Sequence, residues 1–309
     1  MLFLGTAPPP HDLSSRISHL RRATSTGPVL VMADEEGGSV QRLAGAVGDV
    51  PSARAMAAAL SLQGVRERAR LVGAQMYALG VTVDLAPVMD VDDRPGPSDT
   101  NADGTRSFSG DAARAAAYAV AFERGLGDAG VLAVAKHFPG IGGVVGNSDV
   151  GAVATKPIDS LRTEGLVPFR AAIAAGVRAI MVANASVPGL TDLPASISRN
   201  VIDGLLRREL GFSGLVVTDS LSAGSIRAVT PSLAEAAVAA VSAGADMVLY
   251  GSTLTASDRA ELAPSALKRN FDQIVAAIAK ASRMDRISGA RLSSAVLASL
   301  TARGGKLCG

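Results

Sequence analysis

The sequence predicts an α/β fold of the (β/α)8 TIM-like barrel type, incomplete at its N-terminal first strand. Short apolar runs alternate with longer Ala-rich segments, polar residues cluster where the apolar runs end, and seven such runs are visible where a barrel wants eight. The first run, LFLG at 2–5, leads into a helical HDLSSRISHLRRAT at 11–24. PVLVMAD at 28–34, VTVDLAPVMD at 81–90, VLAVAKHF at 131–138, RAIMVANAS at 178–186, GLVVTDS at 214–220 and ADMVLYG at 245–251 follow. Near-continuous apolar character is what a parallel strand buried on both faces requires. Between these runs, residues 111–130, 166–176, 200–210 and 232–244 read as helices, and glycine closes several of them. Helices at 264–281 and 286–301 pack outside or close the end. An open doubly wound sheet shares this alternation, and right-handed crossovers serve both.

Composition narrows the function classes. Hydrophobic residues are 48% of the 309 and charged residues 19%, enough for a large core and too apolar for long disorder. Aromatics are 3% with no Trp, so Ala, Val, Leu and Ile must build that core. No linker rich in Ser, Gly or Pro divides the chain, which predicts one domain over 1–309. A formal net charge of +2, with no basic run interleaved with aromatics, argues against nucleic acid as a partner. Cys308 is the single cysteine, excluding an internal disulfide and a cysteine-based metal cluster. The opening MLFLGTAPPP carries an apolar run too short for a membrane span or a signal peptide, so the expectation is a cytoplasmic protein with no membrane partner.

The loop KHFPGIGGVVGNSDV at 136–150 follows an apolar run directly. Its glycines miss the dinucleotide-binding spacing, because Val145 stands at the last glycine position, and no helix obviously opens after it. A lid that carries Asp149 over a site is the better expectation. Asp34, Asp90, Lys136 with His137, Asn184 and Asp219 fall at the ends of five different strands, which converge on one face of a parallel barrel. Capping or local ion pairing explains any single one of them but not the whole set.

The stretches ADEEGGSVQRL at 33–43, LAPVMDVDDRP at 85–95, RSFSGD at 106–111, AVAKHFPG at 133–140, PASISRNVIDGLLRRELGFSGLVVTDSL at 194–221 and AGADMVLY at 243–250 resemble glycoside hydrolase family 3. More narrowly they resemble its bacterial single-domain β-N-acetylglucosaminidases, in order over almost the whole chain. The resemblance implies that Asp219 is the nucleophile of a retaining mechanism. It implies that Lys136 and His137 bind sugar hydroxyls, with Asp34, Arg42 and Arg106 at further sugar-binding positions and Asn184 lining the pocket. It also implies an amino-sugar glycoside or a sugar-bearing metabolite as substrate, and neither metal nor organic cofactor. Lys and Arg around a strand-end Asp219 would keep it ionised for attack.

The chain departs from this pattern after KHFPG. Ile141 stands where the subfamily has a first His, Asn147 where it has an orienting Asp, and Asp149 where it has the acid/base His. Three readings stay open: Asp149 is the acid/base, with Asn147 hydrogen-bonded to it; acid assistance is supplied elsewhere or not needed; or the protein is a sugar-binding pseudoenzyme. Asp90 and Asp92 read as supports of the loop leading to Arg106, Glu35 and Glu36 as loop scaffold with Gly37 and Gly38, and Asp246 as support for the last barrel turn. The family's first strand precedes LFLG, so a gap between LFLG and the last strand is expected to be covered by a partner subunit, making a homo-oligomer, or by the C-terminal segment.

Overall fold

The computed structural model describes residues 2–3, 9–23, 29–251, 260 and 262–302. Part of the LFLG run, residue 28 and Cys308 lie outside these.

Seven parallel strand segments follow one another in chain order. Leu2–Phe3 pairs with Met32–Ala33, which pairs with Val83–Asp84, which pairs with Leu132–Ala133. The same chain segment continues past Val134 as Ala135–Phe138, which pairs with Ala179–Val182, then Leu215–Ser220, then Met247–Leu249. Val134 N donates to Asp84 O at 2.9 Å and Lys136 N to Pro87 O at 3.1 Å, so the two four-stranded sheets are one run hinged at this strand. Such an unbroken parallel order is the barrel-like topology expected from the alternation.

Alternation along each strand divides its side chains between two cores. Leu30, Met32, Val83, Leu85, Leu132, Val134, Ala179, Met181, Leu215 and Val217 point inward and pack on one another. Their neighbours Val31, Ala33, Ala133, Ile180, Val182 and Val216 point outward, against a larger core shared with the helices. Both faces are therefore dry, which is why the runs read as continuously apolar.

Helices Leu13–Ala23, Ala112–Asp128, Val167–Ala174, Leu233–Ala243, Pro264–Arg283 and Gly289–Ala302 fall where expected, and Asn200–Glu209 is helical with wide π-type turns. Asp111 caps the second, its side chain accepting from Arg114 N at 2.7 Å, and Ser232 caps Leu233–Ala243 by accepting from Glu235 N at 3.2 Å. The strand-and-helix pattern did not predict Ala53–Ala59 and Leu62–Leu79, nor the antiparallel pair Glu35–Gly37 and Val40–Gln41. These lie in the long excursion between the second and third strands.

Ala298 and Ala302 of the last helix pack on the interior core beside Met247 and Leu249 of the last strand. The C-terminal segment thus lies against the inner core next to the last strand. No helix of the described residues is long and apolar enough to cross a membrane.

Candidate active site

Strand ends carry the site. Lys136 and His137 lie on Ala135–Phe138, both buried, and Asp219 lies on Leu215–Ser220, partly buried. Asp34 directly follows Met32–Ala33, and the hairpin after it turns Glu36 inward. Lys136 Nζ meets Asp34 Oδ1 at 2.6 Å and Glu36 Oε1 at 2.6 Å. Glu36 also takes a bidentate pair from Arg106, Nε to Oε2 and Nη2 to Oε1, both at 2.8 Å. Glu36, read from sequence as loop scaffold, is thus the common counter-ion of the two buried cations. Only Glu35 is scaffold, accepting from Gln41 Nε2 at 2.7 Å and Leu43 N at 2.8 Å. Nothing in EEGG distinguishes the two carboxylates, since the turn alone decides which one faces the strands.

Burial opposes charge on Glu36, but Arg106 and Lys136 overcome it and hold the carboxyl far below its ordinary range. Burial likewise opposes charge on Arg106 and Lys136, and their acidic partners keep both cations protonated. His137 has no such rescue. Burial first, then Arg106 and Lys136, lower its pKa to about 3, so the imidazole is neutral. Its Nε2 faces Arg106 Nη2 at 3.3 Å and must accept, which leaves the proton on Nδ1, 2.7 Å from Asp90 Oδ2.

Asp90 Oδ1 accepts from Ile141 N at 2.7 Å, so one carboxylate fixes both the His137 ring and the start of the following loop. Asp92 grips Arg94, which reaches Asn101 Oδ1 at 2.9 Å and Val144 O at 3.1 Å. Both aspartates are supports, as expected. Asp246 is one too, holding Arg207, Arg291 and Val216 N.

The 141–151 loop lies over Asp219. Ile141, Val144, Gly146 and Ser148 share with Asp219 a cavity of about 20 Å³, room for about one water. A Cβ on Gly142 would stand 2.1 Å from Val91 O, and one on Gly224 would stand 2.3 Å from Val150 O, so glycine lets the loop press onto both neighbours. Gly224 N donates to Asp149 O at 2.8 Å and Ser225 N to Ser148 O at 3.0 Å. Asn147 Oδ1 accepts from the backbone N of Asp149 at 2.9 Å and so shapes the turn.

Asp219 Oδ1 accepts from Ser220 N at 2.7 Å. The surrounding cations expected to keep it ionised are opposed there by burial. Burial pushes its pKa up, Asp149 adds to the rise, Lys136 pulls it down, and the net direction is upward. Asp149 is therefore near enough to act on Asp219 by charge.

Asn184 stands beside the site with its amide engaged by the protein: Nδ2 donates to Ser220 O at 2.7 Å and Oδ1 accepts from Ser196 Oγ at 2.5 Å. That geometry makes it a brace for the end of the Asp219 strand, where a pocket-lining residue was expected. Arg42 lies on the hairpin, its N donating to Asp34 O at 3.0 Å and its charge acting on Glu35. A larger cavity of about 1140 Å³ opens at the other ends of the strands, lined by Val177, Gly214, Asp246 and Arg291; none of the eight candidate residues lines it.

Residues 4–287 match the glycosyl hydrolase family 3 N terminal domain. The chain belongs to glycosyl hydrolase family 3. This family 3 chain is 43% identical over 233 residues to a protein named beta-hexosaminidase LpqI from Mycobacterium tuberculosis, an alignment covering 73% of this chain and 59% of that relative. The match thus spans less than two thirds of the relative's length. A beta-hexosaminidase of Xylella fastidiosa is 38% identical over 239 residues, 74% of this chain and 69% of the relative. Among solved structures, a family 3 glycosyl hydrolase from Mycobacterium smegmatis superposes with a TM-score of 0.84 at 37% identity, covering 96% of this chain and 86% of that one. A beta-N-acetylhexosaminidase from Beutenbergia cavernae gives 0.83 at 32% identity, covering 98% and 88%. The family 3 barrel accounts for the strand order.

Proposed function

We propose that this chain, as a single barrel domain, is a retaining β-N-acetylhexosaminidase acting on an amino-sugar glycoside, with Asp219 as nucleophile and Asp149 as acid/base. The observation that carries the reading is the placement of Asp219 at a strand end beneath the loop that carries Asp149, beside the Lys136, Arg106 and His137 cluster. A like-charged pair retains one proton more readily than an isolated carboxyl, and one proton on the pair is what the first step uses. Asp219 Oδ forms a bond to the anomeric carbon as the glycosidic C–O bond breaks, and Asp149 gives its proton to the departing oxygen. Water then attacks the glycosyl-enzyme, Asp149 takes the water's proton, and Asp219 leaves with its electron pair. Lys136, Arg106 and Asp34 bind ring substituents, and neutral His137, its Nε2 accepting from Arg106, holds that guanidinium in place. The names of the relatives supply the substrate class, β-linked N-acetylhexosamine.

A second reading, a sugar-binding protein without turnover, is favoured by Asp149 and Asn147 standing where the subfamily's acid/base His and its orienting Asp are expected. Release of nitrophenol from an aryl β-N-acetylglucosaminide separates the two. Turnover by the wild type that vanishes in Asp219→Asn is the expected result. Calorimetric binding of N-acetylglucosamine with no turnover by folded wild type would leave only the second reading.

A further inference from the structure

Asp103 plays no part in the chemistry above, yet it lines the same cavity as Asp219. Much of the wall around it is apolar, formed by Ile141, Val144, Ala183 and Ala185. Asn101 is there too, but its amide is committed: Nδ2 donates to Pro95 O at 2.9 Å, and Oδ1 accepts from Arg94 Nη2 at 2.9 Å and Asp103 N at 3.3 Å. Asp103 is 1% exposed. Its Oδ2 accepts from Ser107 Oγ, while Oδ1 is buried with no hydrogen-bond partner among the described residues. A buried carboxyl oxygen left unpaired is costly and rare, and it calls for a group that completes it. The turn carrying Asp103 is tied to the ion cluster, since Arg106 Nη1 donates to Ala102 O at 2.9 Å.

We propose that Asp103 is a specificity-determining residue of the Asp219 cavity, its free Oδ1 pairing with one ring hydroxyl of the bound sugar. The proposal rests on the glycosidase reading above. The space beside it, about 20 Å³ with the loop closed, matches a single hydroxyl or water and not a larger substituent. Burial, reinforced by Asp90 and opposed by Arg106, lifts the Asp103 carboxyl well above the ordinary range. With Ser107 on Oδ2, the neutral acid carries its proton on Oδ1 and offers it to an acceptor. A sugar hydroxyl can take that proton's hydrogen bond, whereas an ammonium group has only donors.

The test couples residue to hydroxyl. Wild type, Asp103→Asn and Asp103→Leu are compared on an aryl N-acetyl-β-glucosaminide and on its 3-deoxy, 4-deoxy and 6-deoxy analogues. Asp103→Leu should lose about tenfold or more in kcat/KM on the parent sugar and nothing further on one of the deoxy analogues, while Asp103→Asn, which keeps hydrogen-bonding atoms, loses less. Equal losses on all four sugars, or none on any, would overturn the assignment, the first as a structural effect and the second as no role. If folded wild type binds these sugars without turnover, the hydrolase reading falls and the same coupling is read from calorimetric affinities. If it binds none of them, both readings fall.

Discussion

His137 and Glu36 show how one buried cluster sets two opposite protonation states. The His137 imidazole meets two cations and stays neutral, with Nδ1–H directed at Asp90. Burial pushes the Asp90 carboxyl up to about 7, so at about pH 8, where it is ionised, imidazole nitrogen shifts should show the Nδ1–H tautomer; with only three histidines, comparison with His137→Gln assigns the signal. An Nε2–H tautomer there would contradict the arrangement. Glu36 is held below its unfolded value of 4.5, so it contributes stability that is present above about pH 4.5 and lost as pH falls. Replacing it by Gln leaves Arg106 and Lys136 sharing too little negative charge. Glu36→Gln should cost about 3–5 kcal/mol at pH 7 and flatten the acid limb of the stability profile, measured by urea unfolding across pH.

At the scale of elements, the 141–151 loop and the turn after the Asp219 strand work as a pair. Gly224 donates to Asp149 O and lies so near Val150 that a methyl group cannot fit without displacing one of them. Gly224→Ala should lift the loop from Asp219 and lower kcat/KM at least tenfold, while costing only about 1–3 kcal/mol of stability. Parallel kinetic and thermal measurements check this, and unchanged kinetics would show that the loop's seating does not matter. In the same loop, Asn147 Oδ1 closes a tight turn by accepting from the backbone N–H of Asp149 two residues on.

For the whole molecule, two dry cores flank one parallel sheet, and the last helix completes the inner one. Ala298→Glu would bring a charge against Met247, Leu249 and the interior strands. A loss of about 2–3 kcal/mol is expected, read as a lower urea midpoint with an unchanged slope. No loss would show that the helix merely rests on the surface.

The strand order was legible because residues buried on both faces must be apolar, and seven such runs with Ala-rich helices between them admit few topologies. Asp34, Lys136, His137 and Asp219 were legible for the same reason, as polar residues abruptly ending apolar strands. What tertiary structure decided was the partnership of groups far apart in sequence. Glu36 or Glu35 as counter-ion, Asn184 as brace and the upward drift of Asp219 depend on which atoms meet across 36 to 100 residues, and the unpaired Oδ1 of Asp103 on what packs around it. Periodicity and local propensity report how a segment folds, whereas charge and hydrogen bonding depend on distances that exist only once the segments have packed.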